Sequence, residues 1–279
     1  MKRQSVALAG LCLLSAAAFA AEDELSFSAG LDFSRKTLTM SVTAPQISVT
    51  GPVLVTYATD TPLWSMGISP TISYKRLFAS VSIDSSLGAG TATSFHRQAS
   101  GYTADTITNL STTRSERSAT VGYNIWGGLS LFAGRLVNTT ERQAQSYTPT
   151  GLTSGDTEAS RITYTEKGPY AGIAYSHAIG NGSINASVAR LNGNGSTSTR
   201  NSRETQLGEG TVRGNSFGIG WTAPLTQDIV AKLGYRSTRY KFSYTLPPGS
   251  IPTAPPTESF TTTQQQEYEA YSLSFIKSF

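Results

Sequence analysis

The chain has 279 residues, of which 38% are apolar and only 14% charged, with one cysteine and a formal net charge of +4. About a quarter of an ordinary soluble domain is charged, so the deficit, filled by Ser, Thr, Gly, Asn and Gln, argues against a typical soluble globular protein. A positive excess this small gives no argument for nucleic acid or strongly anionic polymers as partners, and none is expected.

Met1–Ala20 reads as a secretory signal peptide. Lys2 and Arg3 form the positive segment, Val6–Ala18 the short apolar core, and Ala18-Phe19-Ala20 the small-x-small cleavage site, with cleavage expected after Ala20. The apolar run is too short to span a bilayer, which takes about 20 residues. Cys12 lies inside this segment and follows Leu11, not the small residue a lipoprotein signal requires. The exported part, 21–279, therefore has no cysteine for a disulfide, a nucleophile or a metal.

The first strand is Leu25, Phe27, Ala29, Leu31 and Phe33, alternating with polar or small residues. Then the apolar parity changes: Leu38, Met40, Val42 and Ala44 fall on even positions, and Ile47, Val49, Val53, Val55 and Tyr57 on odd ones. Turns at Ser34–Lys36 and Ala44–Gln46 would make two extra crossings and twelve strands in all. A single excursion over 35–62 would give ten. An excursion with so regular an apolar face would expose it to water, so twelve strands are expected and ten are the alternative.

Hairpins with short turns follow. Trp64, Met66, Ile68, Ile72 and Tyr74 lead to Lys75-Arg76, and Leu77, Ala79, Val81 and Ile83 return. Trp64 and Tyr74 stand ten residues apart, about 33 Å along a strand, the separation of two aromatic girdles across a bilayer. Ala119, Val121, Tyr123 and Ile125 reach Trp126-Gly127-Gly128, from which Leu129, Leu131 and Ala133 lead away. Ala171, Ile173 and Tyr175 turn around Gly180–Gly182. Phe217, Ile219 and Trp221 turn at Pro224–Asp228, with Leu233 and Tyr235 on the return. Trp64, Tyr74, Tyr123, Trp126, Trp221 and Tyr235 are the candidate girdle aromatics. Between the hairpins lie four long polar stretches without periodicity, Gly88–Ser115, Asn138–Ile162, Asn192–Val212 and Thr245–Thr263, which read as loops. Short turns alternating with long loops are the asymmetry of a transmembrane antiparallel up-and-down β-barrel.

The opposite parity of each strand faces the lumen. It carries small residues such as Ser65, Gly67, Ser69, Gly218 and Ser274. It also carries the charged residues Asp84, Arg114, Glu116, Lys232 and Arg236, joined by Arg135 if a bulge shifts the parity near Gly134. These are the candidates for lining a solute path. Small residues leave room for water and a narrow pore; alternatively the charges pair across the lumen and plug it.

The final strand, Tyr271, Leu273, Phe275, Lys277 and Phe279, ends the sequence on an aromatic residue. An apolar edge here needs a partner, and closure onto the first strand supplies one. The signal peptide, the girdled hairpins and this terminus together resemble bacterial outer-membrane β-barrel proteins over the whole exported length, without pointing to a subfamily. The resemblance implies location in the outer membrane of a Gram-negative bacterium. The implied partners are the lipid bilayer with its lipopolysaccharide, and the barrel-assembly machinery, for which Phe279 is the insertion signal.

Outer-membrane enzymes of this architecture use His, Ser and carboxylates near the rim. Here His177 sits at a short turn and reads as a solvated turn residue. His96, near Ser94, Ser100 and Asp105, lies in the longest loop, poor scaffolding for a Ser/His/Asp site. No spacing suits a metal, and no cofactor is implied. The expected function is a narrow porin-like channel for small polar solutes. The alternative is a non-conducting barrel whose external loops bind a surface partner, and an outer-membrane hydrolase comes last.

Overall fold

The computed structural model describes residues 25–48, 51–97, 105–147, 158–200, 205–246 and 260–279. The expected signal peptide with Cys12, and the Pro247–Pro256 cluster, lie outside the described residues. Eleven strands are present: β1 (Leu25–Ser48), β2 (Gly51–Tyr74), β3 (Leu77–Ser86), β4 (Gly90–Arg97), β5 (Asp105–Trp126), β6 (Leu129–Tyr147), β7 (Glu158–Ile179), β8 (Gly182–Arg200), β9 (Thr205–Pro224), β10 (Ile229–Leu246) and β11 (Phe260–Ser278). Every pairing is antiparallel. The ring closes twice over, β1 onto β11 and β3 onto β5, so ten strands make the barrel. The eleventh, β4, is short and pairs with the outer part of β5, Gly90 opposite Thr112, where the pairing of β3 with β5 has already ended at Ser85 opposite Ser115.

The expectation of twelve strands is thus corrected to ten. Ser34–Lys36 is not a turn. β1 runs straight through it and pairs with β2 from Leu25–Tyr74 to Ser48–Gly51. The parity change has another cause. From Ser28 to Met40 the same face of β1 points inward, burying Ser28, Ser34 and Lys36 and then Leu38 and Met40. The outer face presents Leu25, Phe27, Leu31 and Phe33 first, and Arg35, Thr37 and Thr39 beyond. At about 3.3 Å per residue, β1 is roughly 80 Å long, whereas a bilayer engages 9–11 residues of a tilted strand. Past the bilayer, the outer wall meets water and the inward face gains apolar residues packed among buried polar ones such as Gln264 and Gln266. The chemistry of the two faces exchanges while the geometry does not.

The same continuation explains the long polar stretches. Strands extend well into the first three of them, for example β6 to Tyr147 and β8 to Arg200, and reach only the ends of the fourth. Outside lipid neither face has to be continuously apolar, so the sequence loses its period while the hydrogen-bonded ladder goes on.

The outer wall carries the band expected of a surface in lipid: Met66, Ile68, Val81, Val121, Leu131, Ile173, Ile219, Leu233 and Phe275 are all exposed. Such a belt is stable only against lipid. At one end the strands join by tight turns. Gly127 and Gly128 both adopt positive φ, 56° and 88°, as a two-residue hairpin turn with right-handed strand twist requires. A Cβ on Gly128 would lie 1.9 Å from the Ser176 carbonyl oxygen, so glycine is also a steric necessity there. At this end Phe279 N–H donates to the Phe27 carbonyl at 3.0 Å, tying the last residue to the first strand.

Candidate functional site

Two buried apolar clusters occupy the interior. One joins Phe78, Phe132, Leu136, Tyr170, Leu191, Val212, Tyr240 and Phe242. The other joins Leu38, Met40, Leu63, Tyr164, Tyr268 and Ala270. Phe78 at the short-turn end lies over Gly122 of β5, where any side chain would displace its ring. Tyr268 and Tyr240 belong to these clusters and also face the charged groups of the lumen.

Those charges meet around the Tyr268 ring. The Arg236 guanidinium on β10 donates to Glu116 Oε1 on β5 at 2.9 Å and to the Tyr268 hydroxyl at 3.2 Å. β5 and β10 are five strands apart whichever way the ring is followed, so this ion pair spans the diameter of the barrel. Arg114 on β5 donates to Thr140 Oγ1 at 2.7 Å. It lies 3.9 Å from both Glu116 on its own strand and Glu166 on β7. Lys36 on β1 is paired with Asp84 on β3, and Ser65 on β2 donates to the other oxygen of Asp84 at 3.0 Å. The cations of Lys36, Arg114 and Arg236 sit 5.3, 5.1 and 5.0 Å from the Tyr268 ring centroid. Three cations are thereby matched by the three carboxylates of Asp84, Glu116 and Glu166, and the negative face of an aromatic ring lies between the cations. Burying charge is tolerable only in such a paired arrangement. Above this level Asn138 on β6 donates to the Tyr240 hydroxyl on β10 at 3.2 Å, a second link between distant walls.

Of the six residues expected to line the lumen, Asp84 is partly buried there, and Arg114, Glu116, Lys232 and Arg236 are buried. Arg114, Glu116, Asp84 and Arg236 are brought together, while Lys232 lies nearer the short turns, paired in register with Ser274 and Thr222. Arg135 is a correction. The ladder is unbroken at Gly134, the irregularity being at Asn124–Trp126, so Arg135 stays on the exposed outer face. Sequence reasoning missed Lys36, because it was assigned to a turn, and Glu166 and Tyr268. Extending the parity of Ala171–Tyr175 back along β7, and that of Tyr271–Phe275 back along β11, would have found the last two.

Trp64, Tyr74, Tyr123, Trp126 and Trp221 are exposed on the outer wall. Tyr235, half-buried, packs on Tyr271 with ring centroids 5.2 Å apart, and its hydroxyl donates to Glu269 at 3.0 Å. His177 is exposed near the end of β7 and stacks on Tyr175. His96 lies on β4, opposite Thr106, not in a loop. Among the described residues no three His, Cys, Asp or Glu side chains group as metal ligands.

No protein-family model matches the sequence, and no curated protein does. Solved structures do match its shape. The outer membrane protease OmpT from Escherichia coli superposes with a TM-score of 0.65 at 10% identity, over 91% of this chain and 97% of that one. The translocator domain of the autotransporter NalP from Neisseria meningitidis gives 0.43 at 9% identity, over 90% and 88%. The toluene transporter TodX from Pseudomonas putida gives 0.37 at 11%, over 94% and 91%. Only the first is close enough to bear on architecture, and at this identity it speaks to the fold alone. A closed antiparallel ring, an exposed apolar band and strands that continue far beyond it agree with that likeness: the chain has the closed antiparallel β-barrel fold seen in that bacterial outer-membrane protein, and no subfamily is identified.

Proposed function

We propose that this protein is a non-conducting outer-membrane barrel that holds its extracellular end as a rigid platform for a surface partner. The observation that carries this reading is the Arg236–Glu116 pair at 2.9 Å across the diameter of a ten-strand ring. Eight strands leave a lumen that side chains just fill, and ten leave little more. Here the added space is taken by long side chains, Arg114, Arg236, Tyr240 and Tyr268, all buried. Beyond them the interior is packed with buried side chains, the apolar Leu38, Met40, Leu63 and Phe242 among polar Gln264, Gln266 and Arg142, which narrows the path for a solute. The long strands project the loops well clear of the bilayer, as display requires.

The porin-like reading keeps one supporting feature, the arc of small inward residues Ser65, Gly67, Ser69, Thr71 and Ser73 on β2. Efflux from proteoliposomes loaded with a disaccharide discriminates the two. The platform reading expects release no faster than from equally loaded vesicles without protein, and fast release would support the channel instead. No catalytic step is assigned to the chain. The proposal includes export with cleavage after Ala20, insertion by the barrel-assembly machinery using Phe279, and contact with lipopolysaccharide. Mass spectrometry of the protein from outer membranes should find Ala21 at the N-terminus. A retained segment 1–20 would contradict this.

A further inference from the structure

Beyond the cluster around Tyr268, the inward residues of the outer lumen follow one another at every second position of each strand. At one level Arg114 on β5 donates to Thr140 on β6 and Gln266 on β11, at 2.7 and 3.4 Å, and lies 3.9 Å from Glu166 on β7. One step outward along the same four strands stand Thr112, Arg142, Gln264 and Tyr164, all buried, with Thr112 opposite Arg142 in the ladder. Here the cation comes from β6, and β7 supplies a tyrosine where the level below has Glu166.

Arg142 is only 6% exposed. Its guanidinium donates to Thr59 Oγ1 on β2 at 2.6 Å and forms no ion pair with any described residue. The three carboxylates of the level below are already matched by Lys36, Arg114 and Arg236. Tyr164 is no substitute for a carboxylate, because burial pushes its hydroxyl up to about 12 and keeps it neutral. Arg142 Nε, Thr112 Oγ1 and both amide atoms of Gln264 are buried without a hydrogen-bond partner among the described residues. The wall beside Thr59 is also not closed by hydrogen bonds. β2 pairs with β3 no further out than Ser65 opposite Ser86, and β4 pairs with β5 alone. Leu87 N–H still donates to the Trp64 carbonyl at 2.8 Å, but two residues on, at Pro62, the same edge of β2 has no N–H to offer.

We infer that the outer lumen binds a small monocarboxylate, with its oxygens on the Arg142 guanidinium between Thr112 and Gln264. One uncompensated buried cation calls for one negative charge. The guanidinium edge fits the two oxygens of a carboxylate, and Thr112 and Gln264 add donors beside it. Water would satisfy the hydrogen bonds and leave the charge unmatched. A divalent anion would replace one buried excess charge by another. The unpaired seam between β2 and β4 gives a small solute a route to this level from the side. The inference is independent of whether the lumen conducts.

The test uses the refolded full-length chain in deuterated detergent at constant ionic strength. Saturation-transfer NMR follows acetate and butyrate, with sulfate as competitor. Both carboxylates should bind saturably, and Arg142→Gln should weaken them by about tenfold or more, as loss of a charge-assisted contact does. Arg117→Gln, an exposed cation on the outer face of β5, should leave binding within about twofold. Thr112→Val keeps the charge and should weaken binding by about fivefold, so it serves if Arg142→Gln fails to fold. Urea unfolding separates binding from a structural role: without carboxylate, Arg142→Gln should unfold at a midpoint no lower than the parent, and acetate should raise the midpoint of the parent alone. Absence of saturable binding, or equal binding by Arg142→Gln or Thr112→Val, overturns the site. A lower midpoint for Arg142→Gln without carboxylate makes Arg142 a structural clasp on Thr59 and overturns it too. Sulfate that displaces acetate as well as butyrate does overturns the assignment to a monocarboxylate.

Discussion

Glu116 has two guanidinium groups depending on it, Arg236 at 2.9 Å and Arg114 at 3.9 Å, in a part of the lumen where all three are buried. Removing a carboxylate from such a cluster leaves cations uncompensated, at a cost of about 3–5 kcal/mol, whereas removing both members of a pair is far milder. Glu116→Ala should therefore lower stability in urea unfolding from lipid vesicles by about that amount, and Glu116→Leu with Arg236→Met should recover most of it. An equal loss in the single and double variants would show that the groups do not act as a pair. Parity alone places Asp84, Arg114, Glu116 and Arg236 on the lumen face. That they converge was beyond sequence reasoning, because the contact joins β5 to β10, and the distance across a ring depends on the strand count, which was in doubt by two.

At the scale of the element, β1 teaches that a strand's apolar face need not be its inner face. Leu31 and Phe33 are exposed, while Leu38 and Met40, on the opposite parity, are buried. The break in apolar parity near residue 35 looked like a turn because one solvent was assumed along the whole strand. Met40→Ala should cost about 2–5 kcal/mol, as a core truncation does, and Thr39→Asp, one residue away on the outer face, should stay within about 0.5 kcal/mol. Were 38–44 instead a lipid-crossing strand with its even face outward, the acidic substitution would fall inside the lumen and the truncation on the lipid face, and the order of effects would reverse. The tight turns were legible for a different reason: their glycines are needed by local backbone geometry. Gly128→Ala meets both a positive φ and the Ser176 carbonyl, and should cost about 2 kcal/mol or more in the same unfolding assay. A neutral substitution would mean that the β6–β7 wall moves freely at that end.

For the molecule as a whole, the antiparallel closed barrel, its lipid-facing band and its short-turn end could be read from period-two patterns, because lipid imposes a continuous constraint on one face. The height of the barrel could not, since the segments beyond the bilayer obey no such constraint; nor could the packing of Tyr240, Tyr268 and the charges between them. These unread features carry the proposed function. On that proposal, a lumen crossed by paired charges and packed beyond them with buried side chains makes the barrel a support for its outer end. Single-channel recording in planar bilayers tests that most directly. Folded protein, verified by heat-modifiable migration, should give no steady conductance steps under conditions in which a control porin does. Stable steps whose ion preference changes with Arg236→Glu would contradict the account, because ions would then be passing the level where Arg236 and Glu116 meet.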